Sequence, residues 1–261
     1  MGTSYGINPY WAATTDKGRT HIATSGIVQD GLVFNLDAGV SSSYSGTGTT
    51  FADLAANQNL ALTGSPTYSS TDGYGAIVFN GSNWATATGL STSSPLAVTN
   101  NFTIEQVFKP TGYQASNYYG LTNMLVMKGG ASTYNYATQI TNATTFSFIK
   151  RTSPEGLQSH NFTVPSMTNN INVVSMVIEN GNNTSIDTIK CYVNGVYIGV
   201  QNINGAIITA VDNDPVYLGS LGGTANTGFI GSYYACRVYN IALTEAQVKR
   251  NYNAMKGRYG L

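Results

Sequence analysis

The C-terminal segment, residues 229–261, constrains the fold of this chain more than any other stretch. It begins with aromatic and β-branched residues from Ile230 to Val238, a composition that suits a pleated, half-buried strand. The pattern then changes, because Thr244 is followed three residues later by Gln247, which is the spacing of a capping box at a helix start. One short helix therefore closes a chain whose other apolar segments are spaced like strands.

The predicted helix has one apolar face and a basic C-terminal end. Val248, Tyr252 and Met255 follow the spacing i, i+4, i+7, so they lie on one side of the helix. Lys256 lies toward the negative end of the helix dipole, and Gly257 is predicted to end the helix. We expect this helix to pack on the strands and to stabilise the fold.

Short strand patterns bounded by turn residues recur along the rest of the chain. Residues 102–110 alternate with period two, and Pro110 is predicted to end that strand. Residues 188–199 form the strongest predicted hairpin, with Asn194 and Gly195 at its turn. Further strands are predicted at residues 32–36, 76–79, 124–127, 146–149, 171–178 and 216–218. These patterns predict an all-β fold, an antiparallel two-sheet sandwich with one short C-terminal helix.

The chain divides into an N-terminal arm, residues 1–25, and one domain, residues 26–261. The arm is irregular in pattern and carries one bulky pair, Tyr10 and Trp11, which favours docking because free tails are rarely aromatic. A mobile terminus is the alternative interpretation of the arm. Arg258 and Tyr259, in the C-terminal tail, are predicted as a second docking contact.

The charge pattern excludes two classes of partner. Lys plus Arg and Asp plus Glu each number 12, so the net charge is zero and no basic run is present. We therefore expect neither nucleic-acid nor anionic-membrane binding. No apolar run approaches the roughly 18 residues of a membrane span, and the N-terminus lacks the pattern of a signal peptide. Only 9% of the residues are charged, a composition typical of extracellular or particle-exposed β proteins.

Five segments, in order along residues 27–261, carry a resemblance to a known family. The segments are residues 31–38, 76–83, 102–110, 189–195 and 237–252. Together they resemble the laminin-G-like, concanavalin-A-like jelly-roll domains that recur in bacteriophage virion proteins. The resemblance implies two curved antiparallel sheets packed face to face. It does not determine function, because this sandwich includes lectins, hydrolases and purely structural modules.

The acidic residues and histidines do not form a recognisable catalytic pattern. Hydrolases that resemble this fold carry the cluster Glu-x-Asp-x-x-Glu on one strand, whereas Glu105 is alone in its strand and Glu155 is the next acidic residue. His21 and His160 lack a nucleophile-elbow context and are predicted in loops. We therefore expect no enzymatic activity.

Calcium is common in the family that the chain resembles, although no cofactor is required by the pattern. Asp212 and Asp214, two residues apart before a strand, are the best candidate ligands, and Asp37 is a weaker one. The favoured alternative is that Asp212 and Asp214 bond to the local backbone in a turn.

A glycan site would combine aromatic faces with amide groups in loops. The candidate residues are Tyr113, Asn117, Tyr118, Tyr119, Tyr134 and Tyr136. The favoured alternative is that these rings pack at subunit contacts, where amphipathic aromatic residues are enriched. Cys191 and Cys236 lie in strand patterns and are expected to be buried thiols, not a disulfide.

Taken with the resemblance, these patterns predict a non-enzymatic virion structural protein. A capsid decoration or a head or tail fibre component would be exposed on the particle surface and made in the host cytoplasm without a signal peptide. Its partners would be other virion proteins or further copies of the chain. A lectin-like host-adsorption module that binds surface glycan is the first alternative, and a glycan depolymerase is the second.

Overall fold

The computed structural model describes most of the chain. The described residues are 13–16, 19–22, 26–56, 58–87, 94, 96, 101–115, 121, 123–129, 135–152, 156–179, 187–203 and 214–261. Within these ranges, side chains are described except at residues 13–22, 127, 151–157, 187 and 203.

Eighteen strands and one α-helix lie within the described ranges. The strands, in chain order, are β1 (Ala13–Asp16), β2 (Arg19–Ile22), β3 (Leu32–Asp37), β4 (Thr50–Phe51), β5 (Leu60–Thr63), β6 (Thr67–Ser69), β7 (Ala76–Asn80), β8 (Trp84–Ala87), β9 (Phe102–Gly112), β10 (Met124–Lys128), β11 (Tyr136–Asn142), β12 (Thr145–Thr152), β13 (Gly156–Thr163), β14 (Asn172–Glu179), β15 (Asp187–Val193), β16 (Val196–Ile203), β17 (Val216–Leu218) and β18 (Ile230–Tyr239). The helix, α1, spans Glu245–Tyr259, and a 3₁₀ turn spans Asp72–Tyr74. In the described part of the chain, no helix is long and apolar enough to span a membrane.

Two eight-stranded antiparallel sheets form the domain. Sheet I has the order β16-β15-β14-β9-β18-β7-β6, and β3 also pairs with β18. Sheet II has the order β13-β12-β11-β10-β17-β8-β5-β4, while β1 and β2 form a separate hairpin. One apolar cluster joins the two sheets, as in the stacked rings of Phe108 and Phe146, whose centroids are 6.1 Å apart. The predicted antiparallel two-sheet sandwich with a C-terminal helix is confirmed.

Strand β9 shows how the period-two pattern builds the core. Phe102, Ile104 and Phe108 enter the apolar cluster between the sheets, as the alternation predicts. Gln106 points the same way, and its amide is satisfied there because Nε2 donates to Thr138 Oγ1 at 2.9 Å. The prediction that Pro110 ends the strand is wrong, since β9 continues to Gly112.

The structure accounts for this continuation. Pro110 lies opposite Gly231, next to a register shift in β18, and proline is tolerated at such irregularities because no regular ladder bond is lost.

The C-terminal helix has the predicted start but a later end. Both capping-box bonds form, with Gln247 N donating to Thr244 Oγ1 at 3.3 Å and Thr244 N donating to Gln247 Oε1 at 2.8 Å. The predicted stop at Gly257 is wrong, because the helix continues to Tyr259 and Gly260 adopts the left-handed conformation with φ 68°. Its amide then donates to the Lys256 carbonyl, which closes the helix.

The helix packs on the outer side of sheet I. Met255 and Tyr259 join Val107 of β9 in a second apolar cluster, and the rings of Tyr259 and Tyr234 are 5.3 Å apart. Val248 belongs to a neighbouring cluster with Tyr239. The apolar stripe predicted for the helix therefore covers the sheet.

Several smaller predictions are also decided by the structure. Asn194 and Gly195 have φ values of 51° and 73°, which confirms the two-residue turn of the predicted hairpin. Cys191 and Cys236 are buried free thiols, as expected. The loop prediction for the histidines is wrong, because His21 lies in β2 and His160 lies in β13 opposite Phe148.

Candidate functional site

The outer face of sheet II, on the side away from the core, carries an uncharged set of side chains. Strand register places two lateral rows on this face, because paired residues in antiparallel strands point to the same side. The first row is Ala61, Thr86, Tyr217, Ala137, Ile149 and Ser159, and the second contains Thr63, Trp84, Met124, Gln139, Ser147 and Asn161. None of these described side chains is an Asp, Glu, Lys, Arg or His, so the groups that they offer to a ligand are hydroxyls, amides and rings.

The middle of this face is covered and its two sides are accessible. Leu121 and Leu221 join Ala137 and Ile149 in a buried apolar cluster at the centre. Two regions remain, one on each side of the cluster. We name them the aromatic flank, formed by Thr63, Trp84, Thr86 and Tyr217, and the hydroxyl–amide flank, formed by Thr141, Ser147, Ser159 and Asn161.

The aromatic flank places two partly exposed rings on neighbouring strands. Trp84 lies in β8 and Tyr217 in β17, and their strands pair directly. Gly223, in the loop of residues 219–228, lies against both rings. A Cβ at this glycine would be 3.3 Å from Tyr217 Cε1 and 3.6 Å from Trp84 Cζ2, and its φ of 78° disfavours other residues. The glycine thus allows the loop backbone to approach both rings closely.

Beside the rings, Thr86 has a hydroxyl that forms no hydrogen bond with the described part of the chain. Thr86 pairs with Tyr217 across the strands, and its Oγ1 atom is buried. Most buried polar side-chain atoms in proteins have a partner, so an unpaired hydroxyl beside two rings is a feature of interest.

The loop of residues 219–228 is held at the rim of the flank. Asn226 N donates to the Gly81 carbonyl at 3.0 Å, and Ser82 Oγ is 2.9 Å from Asn226 Oδ1. Thr227 Oγ1 donates to the Thr224 carbonyl at 2.7 Å. Thr224 and Asn226 are exposed, so the loop adds a hydroxyl and an amide beside the rings.

The hydroxyl–amide flank is a hydrogen-bonded network. Ser147 Oγ donates to Asn161 Oδ1 at 2.7 Å, and Ser159 Oγ reaches the same oxygen at 3.1 Å. Thr141 Oγ1 is 3.3 Å from Ser147 Oγ. Asn161, Ser159 and Thr141 are exposed, so this flank also presents neutral polar groups to solvent.

This arrangement can bind a ligand but lacks the groups for acid–base chemistry. Sugar rings present apolar C–H faces that pack on aromatic rings, with hydroxyl groups at their edges for hydrogen bonds. Glycoside hydrolysis requires two placed carboxylates. Among the described side chains of this face there is no carboxylate, so the geometry favours binding over catalysis.

The carboxylates of Glu105 and Asp37 are buried on the other side of the molecule, beneath α1. Arg237 lies between them, with Nη1 3.2 Å from Glu105 Oε1 and Nη2 3.4 Å from Asp37 Oδ2. Burial raises the pKa of the Glu105 carboxyl, and the nearby Arg237 partly opposes this shift. Both carboxylates are fully buried, so neither is placed to reach a substrate.

Of the tyrosines proposed for a glycan site, only Tyr113 and Tyr136 fall within the described residues. Tyr113 is half-buried, with its hydroxyl 2.8 Å from Thr168 Oγ1, and burial raises its pKa. The loop assignment of Tyr136 is wrong. It begins β11, its ring packs 5.4 Å from Phe102, and its hydroxyl donates to the Leu96 carbonyl at 3.2 Å, so it belongs to the core. Asn117, Tyr118, Tyr119 and Tyr134 lie outside the described residues.

The structure describes two of the three candidate calcium ligands, Asp37 and Asp214. Asp37 is engaged by the guanidinium groups of Arg258 and Arg237, a structural role. The backbone carbonyl of Asp214 accepts a hydrogen bond from Lys128 Nζ. The side-chain Oδ2 of Asp214 is 3.4 Å from Asn135 Nδ2. Within the described ranges, no three His, Cys, Asp or Glu side chains converge. Asp212 lies outside the described residues, and calcium binding stays a prediction.

The predicted C-terminal docking contact is wrong. Arg258 has a side chain only 5% exposed and is paired with Asp37, while Tyr259 packs on Tyr234. Both side chains are therefore used inside the domain and are not available to a neighbour. Tyr10 and Trp11 lie outside the described residues.

A concavity of about 560 Å³ lies elsewhere, between Gly26 and the exposed side of α1. Its two cations already have partners, because Lys249 Nζ is 2.5 Å from Glu245 Oε1 and Arg250 Nε donates to the Gly26 carbonyl at 2.8 Å. The second of these contacts holds the start of the domain against the helix. The aromatic flank is the better candidate site, since it presents two partly exposed rings on neighbouring strands, whereas the cations of this concavity are already paired.

Comparison with protein families identifies the superfamily of the chain. A family model, Laminin_G_3, described as the concanavalin A-like lectin/glucanases superfamily, matches residues 79–249, well over half of the chain. No curated protein matches the sequence.

Solved structures share the fold at low sequence identity. The chain is similar to domain 4 of AbnA, an extracellular arabinanase from Geobacillus stearothermophilus solved with arabinotriose, at 18% identity and a TM-score of 0.59. That match covers 85% of this chain and 98% of that domain. The binding domain of Paraclostridial Mosquitocidal Protein 1 is similar at 16% identity and a TM-score of 0.60, covering 86% of this chain and 52% of that one. The receptor-binding domain of botulinum neurotoxin type G is similar at 13% identity and a TM-score of 0.58, covering 86% of this chain and 51% of that one.

Proposed function

Because the chain belongs to the concanavalin A-like lectin/glucanases superfamily, we propose that it is a non-catalytic binding module for an uncharged glycan. The aromatic flank of sheet II is the proposed site. The observation that carries this proposal is the diagonal placement of Trp84 and Tyr217 on the paired strands β8 and β17, beside Thr86, whose buried hydroxyl has no partner among the described residues. Rings with neighbouring hydroxyl and amide groups match the alternating apolar and polar surface of a sugar.

The similar structures support a binding role. The AbnA domain was solved with arabinotriose, and the two toxin domains are described as a binding domain and a receptor-binding domain. The AbnA domain is the more useful comparison, since this chain covers nearly all of it and only about half of either toxin chain. We take from it the ligand class, a neutral oligosaccharide.

The side chains that the structure describes on this face narrow the ligand class further. Acidic sugars carry carboxylates, which proteins bind most strongly with arginine or lysine. The described side chains of the outer face of sheet II include neither. A neutral glycan is thus favoured over an acidic one.

We place this module on the surface of a virus particle. The support is the resemblance to phage virion domains together with the 9% content of charged residues, which is typical of particle-exposed β proteins. Glycan binding would then serve attachment to a host surface, and the N-terminal arm, residues 1–25, would join the module to other virion proteins. Loss of incorporation into particles when residues 1–25 are deleted would support this setting, and unchanged incorporation would contradict it.

A glycan array with the full chain, run with and without calcium, tests the glycan proposal. We expect binding to neutral glycans, and a loss of at least about tenfold in affinity for Trp84→Ala and for Tyr217→Ala, because each removes a stacking surface. Tyr74→Ala is the matched control, since Tyr74 is an exposed tyrosine, 53% accessible, outside the face. Glycan binding that depends on added calcium would support the predicted calcium site.

Two results would overturn the proposal. One is absence of binding to every neutral glycan in both calcium conditions. The other is glycan binding that is equally strong in the wild type and in a folded Trp84→Ala, Tyr217→Ala double variant. Hydrolysis of a bound glycan would instead support the depolymerase alternative.

A further inference from the structure

The edges of the sandwich differ sharply between its two sides. On one side the sheets end in β4 and β6, which have two and three residues. The neighbouring β3 has its outer edge occupied, because Asn35 N donates to Asp53 Oδ1 and Leu54 N donates to the Asn35 carbonyl, both at 2.8 Å. On the opposite side the sheets end in β13 and β16, each of eight residues.

Short or covered edges are a common protection against pairing with another chain, and long edges usually carry charges or proline instead. Strand β16, with the sequence VYIGVQNI, has neither. It is also apolar on its surface, since Val196, Val200 and Tyr197 are 62%, 49% and 44% exposed. A bulge at Ile198 interrupts the first part of the strand, but the regular part, residues 199–203, has neither charge nor proline to protect it.

Of the two long edges, β16 is the more accessible to a partner strand. The Asn161 carbonyl of β13 already accepts a hydrogen bond from Gln201 Nε2 at 2.9 Å, which ties β13 to β16. By contrast, no described segment forms a backbone ladder with the outer edge of β16. A Cβ at Gly199 would meet no atom within 4 Å, so the strand is open there as well.

We propose that β16 pairs antiparallel with β16 of a second copy of this chain. The result is a two-fold dimer in which the two copies of sheet I join into one continuous sheet of sixteen strands. An exposed strand edge is recognised by another strand, because its free amides and carbonyls need a ladder partner. In a two-fold contact each residue near the axis meets its own copy, so a charged residue would face a like charge. The uncharged sequence of β16 suits this contact.

The bulge in β16 locates the contact. Cys191 pairs with Gly199 and Tyr192 pairs with Tyr197, so Ile198 is the extra residue of the bulge. Regular pairing with β15 runs from Gly199 toward Ile203. The two-fold axis is therefore placed in this second half of β16, near Val200, whose side chain lies on the side of sheet I that carries α1.

The geometry has a consequence that rests on the proposed glycan function. Two antiparallel strands of one sheet are related by an axis perpendicular to that sheet, so both copies of sheet II point in the same direction. Two aromatic flanks would then face one surface, and a dimer would bind a glycan-covered surface with higher avidity than a monomer.

The mass of the full chain in solution, without glycan, tests the dimer separately from glycan binding. Light scattering and sedimentation at concentrations up to about 100 μM should show a dimer. Val200→Lys should weaken dimerisation at least about tenfold, because it places like charges beside each other. Thr67→Lys, on the short edge strand β6 of the same sheet, is the matched control and should leave the dimer unchanged.

A second readout does not depend on destabilising the protein. Val200→Cys should form a disulfide between copies under mild oxidation, whereas Thr67→Cys should not, and the native cysteines are buried. A wild-type chain that is monomeric over the whole concentration range would overturn the proposal. A second result would also overturn it: the folded Val200→Lys variant remains a dimer, and the Val200→Cys variant does not form a disulfide between copies.

Discussion

Arg258 Nη1 lies 2.7 Å from both carboxylate oxygens of Asp37, and this ion pair joins the last turn of α1 to the end of β3. Asp37 is fully buried and the Arg258 side chain is 5% exposed. Arg258 Nε also donates to the Gly73 carbonyl at 3.1 Å, so the guanidinium bridges three segments. The C-terminus is therefore attached to the domain by a buried charge and not by apolar contacts alone.

Replacing Arg258 with leucine should strongly destabilise the domain. The change leaves the Asp37 carboxylate buried with the 3.4 Å contact to Arg237 and the 3.0 Å hydrogen bond from Gly39 N, and breaking a buried pair by removing one partner costs about 3–5 kcal/mol. Denaturant unfolding measures this loss as a lower midpoint at unchanged slope.

Lys256→Leu is the matched control for that experiment. Lys256 is an exposed cation on the same helix, so its replacement should change stability by no more than about 0.5 kcal/mol. A double variant, Asp37→Asn with Arg258→Leu, should recover part of the loss because no unpaired carboxylate remains. Equal stability of Arg258→Leu and the wild type would contradict the assigned role of the pair.

The same ion pair explains why the sequence predicts the helix start but not its end. The start depends on Thr244 and Gln247, which are close in sequence, so a local pattern is sufficient. The end depends on a contact between Arg258 and Asp37, which are distant in sequence. Extending the helix past Gly257 brings Arg258 to the carboxylate, and this long-range gain outweighs the roughly 1 kcal/mol cost of a helical glycine.

The fold could be predicted well because its strands have clear alternation and its turns have specific residues, such as Asn194 and Gly195. The candidate site could not, because Trp84 and Tyr217 become neighbours only through the pairing of β8 with β17. One local signal for the site was present. Tyr217 lies between Val216 and Leu218 in a predicted strand, so alternation places its ring on the face opposite to those core residues.

Thr244→Ala should cost about 1 kcal/mol of stability, because it removes the side-chain oxygen that accepts from Gln247 N. Thr244→Ser keeps an oxygen in the same position and should lie within a few tenths of a kcal/mol of the wild type, a difference expected of equivalent caps. Amide hydrogen exchange in the first turn of α1 measures the local effect and should be faster in the alanine variant only. Unchanged exchange in that variant would contradict the capping contact.

Asp72 predicts a specific acid sensitivity. Burial raises the pKa of its carboxyl, but hydrogen bonds from Lys109, Ser232 and Tyr234 outweigh that effect, so the pKa lies below its ordinary value of 3.8. Protonation of Asp72 in the folded state is therefore disfavoured. The ionised Asp72 carboxylate stabilises the fold above pH 3.8, and this stabilisation is lost as the pH falls below that value.

Asp72→Asn should accordingly be less stable than the wild type at neutral pH by about 2 kcal/mol, the magnitude of hydrogen bonds to a charged group. The difference should shrink as the pH falls below 3.8. Unfolding free energies of both proteins across this range provide the measurement. Asp30→Asn, at an exposed aspartate, is the matched control for the loss of one carboxylate, and a constant gap between Asp72→Asn and the wild type would contradict the assignment.

Cys191 and Cys236 should be unreactive in the native protein and fully reactive after unfolding. Burial raises the pKa of each thiol to about 12, and only the thiolate is a good nucleophile, so burial and protonation both suppress labelling. A thiol-specific chromogenic reagent at pH 8 should therefore detect no thiol in the native state and two thiols in denaturant. Rapid native labelling of one cysteine would show that its strand opens locally, and fewer than two thiols in denaturant without reductant would reveal a disulfide. Because Cys236 lies in β18, next to Arg237, its labelling rate in Arg258→Leu also reports whether loss of the ion pair loosens sheet I as well as the helix.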